Sequence, residues 1–349
     1  MIDGSRADVS LVAGLLVDKF RYHLPLYRQH QRLLDAGFTL SRPWLTQLVQ
    51  QGSQLLEPIF DAQLASICSG HVITMDEVPV KAGQAGPGKM KSTYFWPVYG
   101  EHDEVCFPHF ESRRHEHVEQ ALGARLAPGT VLLSDGYGAY DAYAKKTGIT
   151  NAQCWAHSRR VFFDAKDAEP QLAGQALEQI AALYKVEEHI REHKLAGDAK
   201  RLHRLTHSKP LADRFFDWVA QQFERQGLLP SNPLTQALAY VRERRAGLRV
   251  FLEDPAVAID TNHIERTLRP IPMGRNKANS TFMRSRHDAV EAAPWAGSPQ
   301  GTDTASHNYS ACRNANKALG ARYRACLISG CFSRASARSF MARSASTYM

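Results

Sequence analysis

The chain has 349 residues, of which 44% are hydrophobic and 22% are charged, as expected for a globular protein with a sizeable core. It holds no apolar run of the roughly 18 residues that a membrane-spanning helix needs, and its first residues lack the apolar core of a secretory signal. Six cysteines without dense spacing or a CxxC pair argue against a disulfide scaffold and a structural zinc site. We therefore expect a cytoplasmic protein without a membrane partner.

The net charge of +8 is concentrated in the last part of the chain. Residues 276–349 hold ten Lys or Arg and three Asp or Glu, a net charge of +7, which leaves +1 for residues 1–275. Phosphate binding depends on Lys and Arg, so local pairs such as Arg113-Arg114 and Arg159-Arg160 matter more for the body than its total charge.

Residues 1–69 are predicted to form an N-terminal helical region, because their apolar residues recur at helical spacing. One helix should end near Ala36-Gly37, and the next should begin after Ser41 as N-cap, with Pro43 in its first turn. This punctuation is typical of a helix-turn-helix. It fits two packed core helices and also a helix that contacts DNA.

Residues 70–169 are predicted to form a core of mixed α/β structure. HVITMDEVPVK, STYFWPVYG and EVCFPHFE suggest three hairpin-linked strands, with a first loop from Lys81 to Lys91. A helix near 115–123, the strand TVLLSD, a helix near 137–146, the strand NAQCW and a helix from Ala156-His157 follow. This order predicts a mixed sheet flanked by helices, since parallel crossovers need helices to return the chain.

The remaining chain divides into three further segments. Residues 170–254 are predicted to be an all-helical insertion, and residues 255–275 to contain a final short helix near 261–269. Residues 276–349 include only four Leu, Ile or Val and cannot build a core. We expect this basic segment to be disordered, either as a native tail or, as we favour, through out-of-frame translation.

Three acids in this pattern point to metal chemistry: Asp76 in an apolar strand, Asp135 at the end of another, and Glu265 on the final helix. Each alone has an ordinary explanation, as an edge-strand, turn or solvated helix residue. Together they match the arrangement of carboxylates in a ribonuclease-H-like nuclease fold. Cleaving a phosphodiester in line calls for two divalent cations, and Mg²⁺ prefers such oxygen ligands.

Five collinear motifs resemble those of the insertion-sequence-66 family of transposases, over roughly residues 10–275. They are LLVDKFRYHLPLYRQHQRL, ITMDEVPVK, LLSDGYGAYDAY, QCWAHSRRVF and DTNHIERTLRPIPMGR. The resemblance implies a bacterial DDE enzyme whose metal-binding acids are Asp76, Asp135 and Glu265. It also implies two Mg²⁺ or Mn²⁺ ions, terminal inverted repeats and target DNA as partners, and possibly a homo-oligomer with accessory proteins encoded by the element.

Residues beside these acids also match family motifs. Cys154 and His157 fit buried packing and hydrogen bonding better than a metal site, because a lone CxxH is weak evidence. A supporting or DNA-contacting role is open for His157, Arg159 and Arg160, as it is for Asn262, Arg266 and Arg269 beside Glu265. Helix capping and surface charge are the alternative explanation for the last three.

Two departures from the family pattern affect the expected function. Family members usually carry a cysteine-rich zinc module and a helical segment before the region where this chain begins, and they continue with an apolar segment after Gly274-Arg275. We therefore expect a copy truncated at both ends, whose transposition is impaired. The alternatives are an inactive remnant that at most binds DNA, and a metal-dependent nuclease of the same fold unrelated to mobile DNA.

Overall fold

The computed structural model describes residues 2, 4–86, 89–123, 126–224 and 229–268, without the side chains of 82–86, 89, 265, 266 and 268. The predicted tail, 276–349, and Arg269 therefore lie outside the described residues.

The N-terminal region contains four helices. They are α1 (Val9–Leu16), continued by a π-helical segment (Val17–Arg21), α2 (Leu26–Asp35), α3 (Arg42–Leu55) and α4 (Glu57–Cys68). Ser41 caps α3 as predicted, because its side-chain oxygen accepts a hydrogen bond from the Trp44 amide at 3.3 Å, and Pro43 lies in the first turn. A small core joins α1 and α3 through Leu15, Leu45, Leu48 and Val49, whereas Phe60 and Ile67 of α4 belong to the core beside the larger sheet. DNA contact by α3 stays a prediction.

Within the described residues, eight strands form two sheets. They are β1 (Val72–Met75), β2 (Val78–Gly86), β3 (Lys89–Phe95), β4 (Val98–Tyr99), β5 (Val105–Cys106), β6 (His109–Phe110), β7 (Val131–Ser134) and β8 (Thr150–Gln153). The larger sheet has the order β5-β4-β1-β7-β8, with β1, β7 and β8 parallel and β4 antiparallel to both of its neighbours. The smaller sheet, β2-β3-β6, is antiparallel. The predicted mixed sheet is thus present.

Each of the three predicted hairpin strands is in fact two strands, one in each sheet. The first divides at Asp76-Glu77, the second at Trp96-Pro97 and the third at Phe107-Pro108. Proline has no amide hydrogen to donate to a ladder, which explains two of the breaks. The three breaks lie side by side, since the Asp76 amide approaches the Pro97 carbonyl at 3.4 Å and the Trp96 amide donates to the Pro108 carbonyl at 2.8 Å.

The predicted loop from Lys81 to Lys91 is wrong. Both strands continue through most of it, with Lys81 opposite Ser92 and Gln84 opposite Met90. The register shifts between these pairs and again before Gly86. Bulges of this kind let the two strands stay paired while they twist, and glycine is common in them. The glycines of this segment are also typical of a turn, which is why its composition alone suggested a loop.

Helices cover both faces of the larger sheet. The helices that follow β6 in the described residues are α5 (Glu116–Leu122), α6 (Gly138–Thr147), α7 (Trp155–Asp164), α8 (Pro170–Glu192), α9 (Gly197–His203), α10 (Lys209–Glu224), α11 (Pro233–Glu243), α12 (Arg245–Glu253) and α13 (Asn262–Leu268). Ile73 and Leu132 join the core on the side of α4 and α6, whereas Val131 and Leu133 join the core on the side of α7 to α12. Because both faces are covered, β1 and β7 are buried along their whole length.

Candidate metal centre

Asp76 and Asp135 lie together at the carboxyl edge of the larger sheet. Asp76 follows β1 and Asp135 follows β7, and these strands are parallel neighbours with Thr74 opposite Leu133. Carboxyl ends of parallel strands open onto the crevice where α/β proteins bind ligands. The local sequence therefore places two acids side by side through the sheet itself.

A third acid, Glu77, joins this pair. Asp76, Glu77 and Asp135 each offer one carboxylate oxygen, and these three atoms lie within 4.8 Å of one another. Two oxygens on opposite sides of one Mg²⁺ are about 4 Å apart, given Mg–O distances of about 2.1 Å. The three acids, which we call the acidic cluster, are thus close enough to hold a divalent ion.

Glu77 was not among the predicted site residues. Its carboxylate accepts a hydrogen bond from Arg113 Nε at 2.6 Å, a second from Arg113 Nη2, and one from the Tyr140 hydroxyl at 2.6 Å. Tyr140 is fully buried on α6. The signal that could have found Glu77 is its position beside Asp76 in an apolar run, where a second charge also needs partners.

Asp135 is held by the turn that follows β7. Its Oδ1 accepts a hydrogen bond from the Tyr137 amide at 2.8 Å, and its Oδ2 lies 4.0 Å from Arg113 Nη2. The same guanidinium stacks over the Tyr137 ring, 4.2 Å from the centroid. Arg113 thus contacts one acid directly and lies beside another, which links two of the three acids.

Gly136, between Asp135 and Tyr137, is in close contact with two residues of the helical segment, Tyr240 and Arg244. Arg244 Nη2 donates to the Gly136 carbonyl at 2.9 Å. A Cβ at position 136 would lie 2.5 Å from both Arg244 Nε and the Tyr240 hydroxyl. Only glycine fits here without displacing the residues that join α11 to α12.

The acidic cluster holds the Asp76 carboxyl partly protonated. Burial, and then the nearby charges of Glu77 and Asp135, raise the pKa of Asp76 to about 7. Burial likewise raises the pKa of Glu77, with Asp135 adding to the effect. A bound divalent cation opposes both effects, because its charge favours the ionised carboxylates.

The segment before α13 is tied to this edge through Cys154. The buried Cys154 sulfur accepts hydrogen bonds from the Thr261 amide at 3.3 Å and from its hydroxyl at 3.4 Å. The Trp155 amide donates to the Ile259 carbonyl at 3.1 Å. The expectation that Cys154 is a buried packing residue therefore agrees with the structure, and its contacts bring the start of α13 to the ends of β7 and β8.

The other predicted site residues lie around this edge. His157 is half-buried on α7, and its interaction with the Cys154 side chain, together with the charges of Asp135 and Asp76, raises its pKa to about 9. Arg159 and Arg160 are exposed one turn further along α7. Asn262 is exposed, and its side chain donates to Asp260 at 2.7 Å.

Glu265 and Arg266 belong to α13, but their side chains lie outside the described residues. Two neighbours on this helix show where it packs. Ile264 is buried in the core beside Ile73 and Leu132, and the His263 ring stands 4.7 Å from that of Tyr99 on β4. Whether the Glu265 carboxylate converges on Asp76 and Asp135 stays a prediction.

A model of the IS66 transposase family matches residues 4–291. The chain belongs to this family. The match extends beyond the roughly 10–275 expected from the motifs, and its end falls within the segment predicted to be foreign. Among the described residues, no helix is both long and apolar enough to cross a membrane.

Three curated relatives come from Sinorhizobium fredii and are named uncharacterized proteins y4hP, y4jD and y4qI. The chain is 30% identical to y4hP over 307 residues, which cover 81% of this chain and 54% of that protein. It is 29% identical to y4jD over 299 residues and 29% identical to y4qI over 301 residues, with coverage of 56% and 54% of those proteins. The chain thus spans about half the length of the curated relatives it matches.

Proposed function

We propose that this chain carries the catalytic core of a DDE-type DNA transposase, which cleaves the ends of its insertion sequence and joins them to target DNA. The observation that carries this proposal is the convergence of Asp76 and Asp135 at the ends of two parallel strands, in a member of the IS66 family. Family membership supplies the substrate class. The paired acids supply the chemistry.

The order of strands supports a ribonuclease-H-like core. Along the chain, β1, β4 and β5 form an antiparallel meander, and β7 and β8 then add in parallel on the other side of β1. The sheet order is therefore third, second, first, fourth, fifth. One acid after the first strand and one after the fourth is the placement that this fold uses for its metal ligands.

Asp76 and Asp135 are the ligands we assign to Mg²⁺ or Mn²⁺, with Glu265 as the third. Both oxygens of Glu77 already accept hydrogen bonds from Arg113 or Tyr140, so Glu77 is better placed to position Asp76 than to coordinate first. A pair of such ions activates the attacking oxygen and stabilises the leaving oxygen. The protein residues hold the carboxylates in position and bind the DNA backbone.

Arginines around the acidic cluster are suited to hold phosphates. The Arg113 side chain is 46% exposed, although it pairs with Glu77, and Arg159 and Arg160 are exposed on α7. Arginine binds phosphate oxygens through a planar fork of donors. We assign Arg159 and Arg160 to the DNA backbone, and His157, protonated at neutral pH, to the same positive rim.

The test is cleavage and joining of a labelled duplex that carries the element's terminal repeat, with the full chain and Mn²⁺. We expect end-specific products that Asp76→Asn and Asp135→Asn reduce by at least about 10³-fold, because each removes a metal ligand worth several kcal/mol in the transition state. Glu265→Gln should behave in the same way. Cleavage that persists in the Asp76 and Asp135 variants would refute the assignment.

The same assay separates the two other functions considered from the sequence. A remnant that only binds DNA would retain the duplex in a gel-shift experiment without cutting it at any Mn²⁺ concentration. A nuclease unrelated to mobile DNA would cut duplexes with and without the terminal repeat equally and would join none.

A further inference from the structure

Four histidines meet where α8 and α9 turn back on each other, far along the chain from the acidic cluster. His189 and His193 lie at the end of α8, and His203 and His207 lie at the end of α9 and in the π-helical segment Arg204–Ser208. Each pair is separated by four residues, which puts both side chains on one face of a helix. We call these residues the histidine cluster.

The four imidazole rings are in contact as a continuous series. The ring centroids of His193 and His189 are 3.9 Å apart, those of His189 and His203 are 4.9 Å apart, and those of His203 and His207 are 4.3 Å apart. The middle contact joins the two helices. Four rings that can each offer a nitrogen ligand are thus brought together at the junction of two helices.

One hydrogen bond already prepares a ring for metal binding. His193 Nδ1 lies 2.9 Å from the His189 carbonyl oxygen. A carbonyl only accepts, so Nδ1 carries the hydrogen, and Nε2 is left with its lone pair. Metal-binding histidines typically show this pattern, in which the second nitrogen donates to a carbonyl or carboxylate.

A buried ion pair beside the histidine cluster holds together the two helical segments that carry the histidines. Arg204, between His203 and His207 in the sequence, is completely buried and donates to both carboxylate oxygens of Glu187 at 2.8 and 2.7 Å. Glu187 is two residues before His189 on α8. The backbones that carry the histidines are therefore held against each other before any ligand arrives, which lowers the entropic cost of binding.

The surroundings also favour the neutral ring that a metal requires. Desolvation, and then the neighbouring His207 and His189, lower the pKa of His203. In the stacked arrangement the ring nitrogens do not converge on one point, since within the described residues only the acidic cluster brings three ligand atoms together. His189, His193 and His207 are exposed, so their side chains have room to turn from stacking toward a shared ion. Glu187 acts in the opposite direction, because its negative charge raises the pKa of His203.

We propose that the histidine cluster is a second metal site, in which His189 and His203, with His193 or His207, bind one late transition-metal ion between α8 and α9. Nitrogen ligands of this type suit Zn²⁺, Co²⁺, Ni²⁺ or Cu²⁺ rather than Mg²⁺, which prefers oxygen. The site would clamp the helical segment, whose far end contacts the turn after Asp135. It does not depend on the proposed transposase activity.

The test is titration of the metal-free full chain with Co²⁺ or Zn²⁺, followed by calorimetry and by the visible absorption of bound Co²⁺. His189→Gln combined with His203→Gln should weaken binding by at least about 10–100-fold, a range typical of losing even an outer partner of a metal ligand. His102→Gln combined with His115→Gln, at two exposed histidines elsewhere, should leave binding unchanged. Asp76→Asn combined with Asp135→Asn should also retain it.

Thermal unfolding gives an independent measurement. A metal that joins two helices binds only the folded chain, so Zn²⁺ should raise the Tm of the wild type and not that of the His189/His203 variant. Should that variant fail to fold without metal, the exposed His207→Gln and His193→Gln variants replace it. Equal affinity and equal Tm shifts in the wild type and the histidine variants would overturn the proposal.

Discussion

The Arg113 guanidinium donates two hydrogen bonds to one oxygen of Glu77, whose side chain is only 3% exposed at the edge of the acidic cluster. Arg113 itself is 46% exposed. The pair therefore joins a buried negative charge to the surface. Without it, the Glu77 carboxylate would share this edge with Asp76 and Asp135 and would lose its paired guanidinium.

Replacing Arg113 should destabilise the metal-free protein. Arg113→Met leaves Glu77 buried with only Tyr140 as a partner, and breaking a buried pair costs about 3–5 kcal/mol; because Arg113 is half exposed, we expect about 1–3 kcal/mol. Urea unfolding measures the change. Arg114→Met is the matched control, since Arg114 is 74% exposed and its pair with Glu116 spans 3.6 Å. An equal loss in both variants would contradict the role given to Glu77.

Replacing Arg204 should have a larger effect. Its Nη1 donates to the carbonyls of Phe251, Asp254 and Val257 at 2.7–3.2 Å, in addition to the pair with Glu187. Arg204→Met leaves these acceptors and a mostly buried carboxylate without a donor, so we expect a loss of about 3–5 kcal/mol in unfolding free energy.

Two further variants sharpen this prediction. Arg204→Lys should rescue little, because an ammonium cannot reproduce the planar fork. Arg201→Met should be near neutral, as its pair with Glu253 is exposed and 3.5 Å long. Full stability of the Arg204→Lys variant would show that charge alone matters at this position.

A methyl group at Gly136 should disturb the turn that carries Asp135. The added Cβ meets Arg244 and Tyr240 at 2.5 Å, and relieving such overpacking costs about 1–3 kcal/mol. We expect Gly136→Ala to lower both stability and metal affinity. Gly138→Ala is the matched control: no atom lies within 4 Å of its added Cβ, and alanine suits the first turn of α6. Combining Gly136→Ala with Arg244→Ala should restore part of the stability.

Metal binding at the acidic cluster should depend on pH near neutrality. The pKa of Asp76 is raised to about 7, so its carboxyl is protonated below that pH and a divalent ion must displace the proton. Below pH 7 the Mn²⁺ affinity should fall by about tenfold per pH unit, and above it should level off. Calorimetry at pH 5.5–8.5 measures this, and an affinity independent of pH in that range would contradict it.

The raised pKa of Asp76 also determines how the stability of the metal-free protein changes with pH. The pKa of Asp76 is higher in the folded chain than its ordinary value of 3.8, so the folded chain holds the extra proton between these values. Asp76 therefore supports stability most below about pH 4, and that contribution is lost as the pH rises through 7. Asp76→Asn should be more stable than the wild type at pH 8, with the difference vanishing in acid; metal-free unfolding at both pH values checks it.

The sequence was sufficient to predict the elements whose position depends on local features, such as a buried apolar run or a helix cap. Val131 to Ser134 are all buried, so the largely apolar run that ends at Asp135 identifies both a strand and the residue at its carboxyl end. Ser41 and Pro43 identify the start of α3 in the same local way. Asp76 stood out because a charge in an apolar run needs a partner.

Features that depend on distant partners could not be predicted. The division of three strands between two sheets depends on their pairing with one another, and β-favouring residues continue across each break. Glu77 acquires its role from Arg113, 36 residues away, and from Tyr140, 63 residues away. The spacing of His189 and His193 is visible in the sequence, but only the packing of α8 against the following segment brings His203 to them.

The close approach of α12 to β8 bears on how the edge of the larger sheet is protected during folding. The amides of Thr150 and Cys154 donate to carbonyls on the β7 side, so the Asn151 carbonyl points to the open side of the sheet, where a Cβ on Gly247 would lie only 2.8 Å away. α12 therefore shields the outer edge of a parallel sheet. An uncovered edge would be a template for pairing with another chain. α12 begins some ninety residues after β8. A nascent chain that has not yet reached α12 therefore leaves the outer edge of β8 unpaired, and the helical segment protects this edge from aggregation once it has folded.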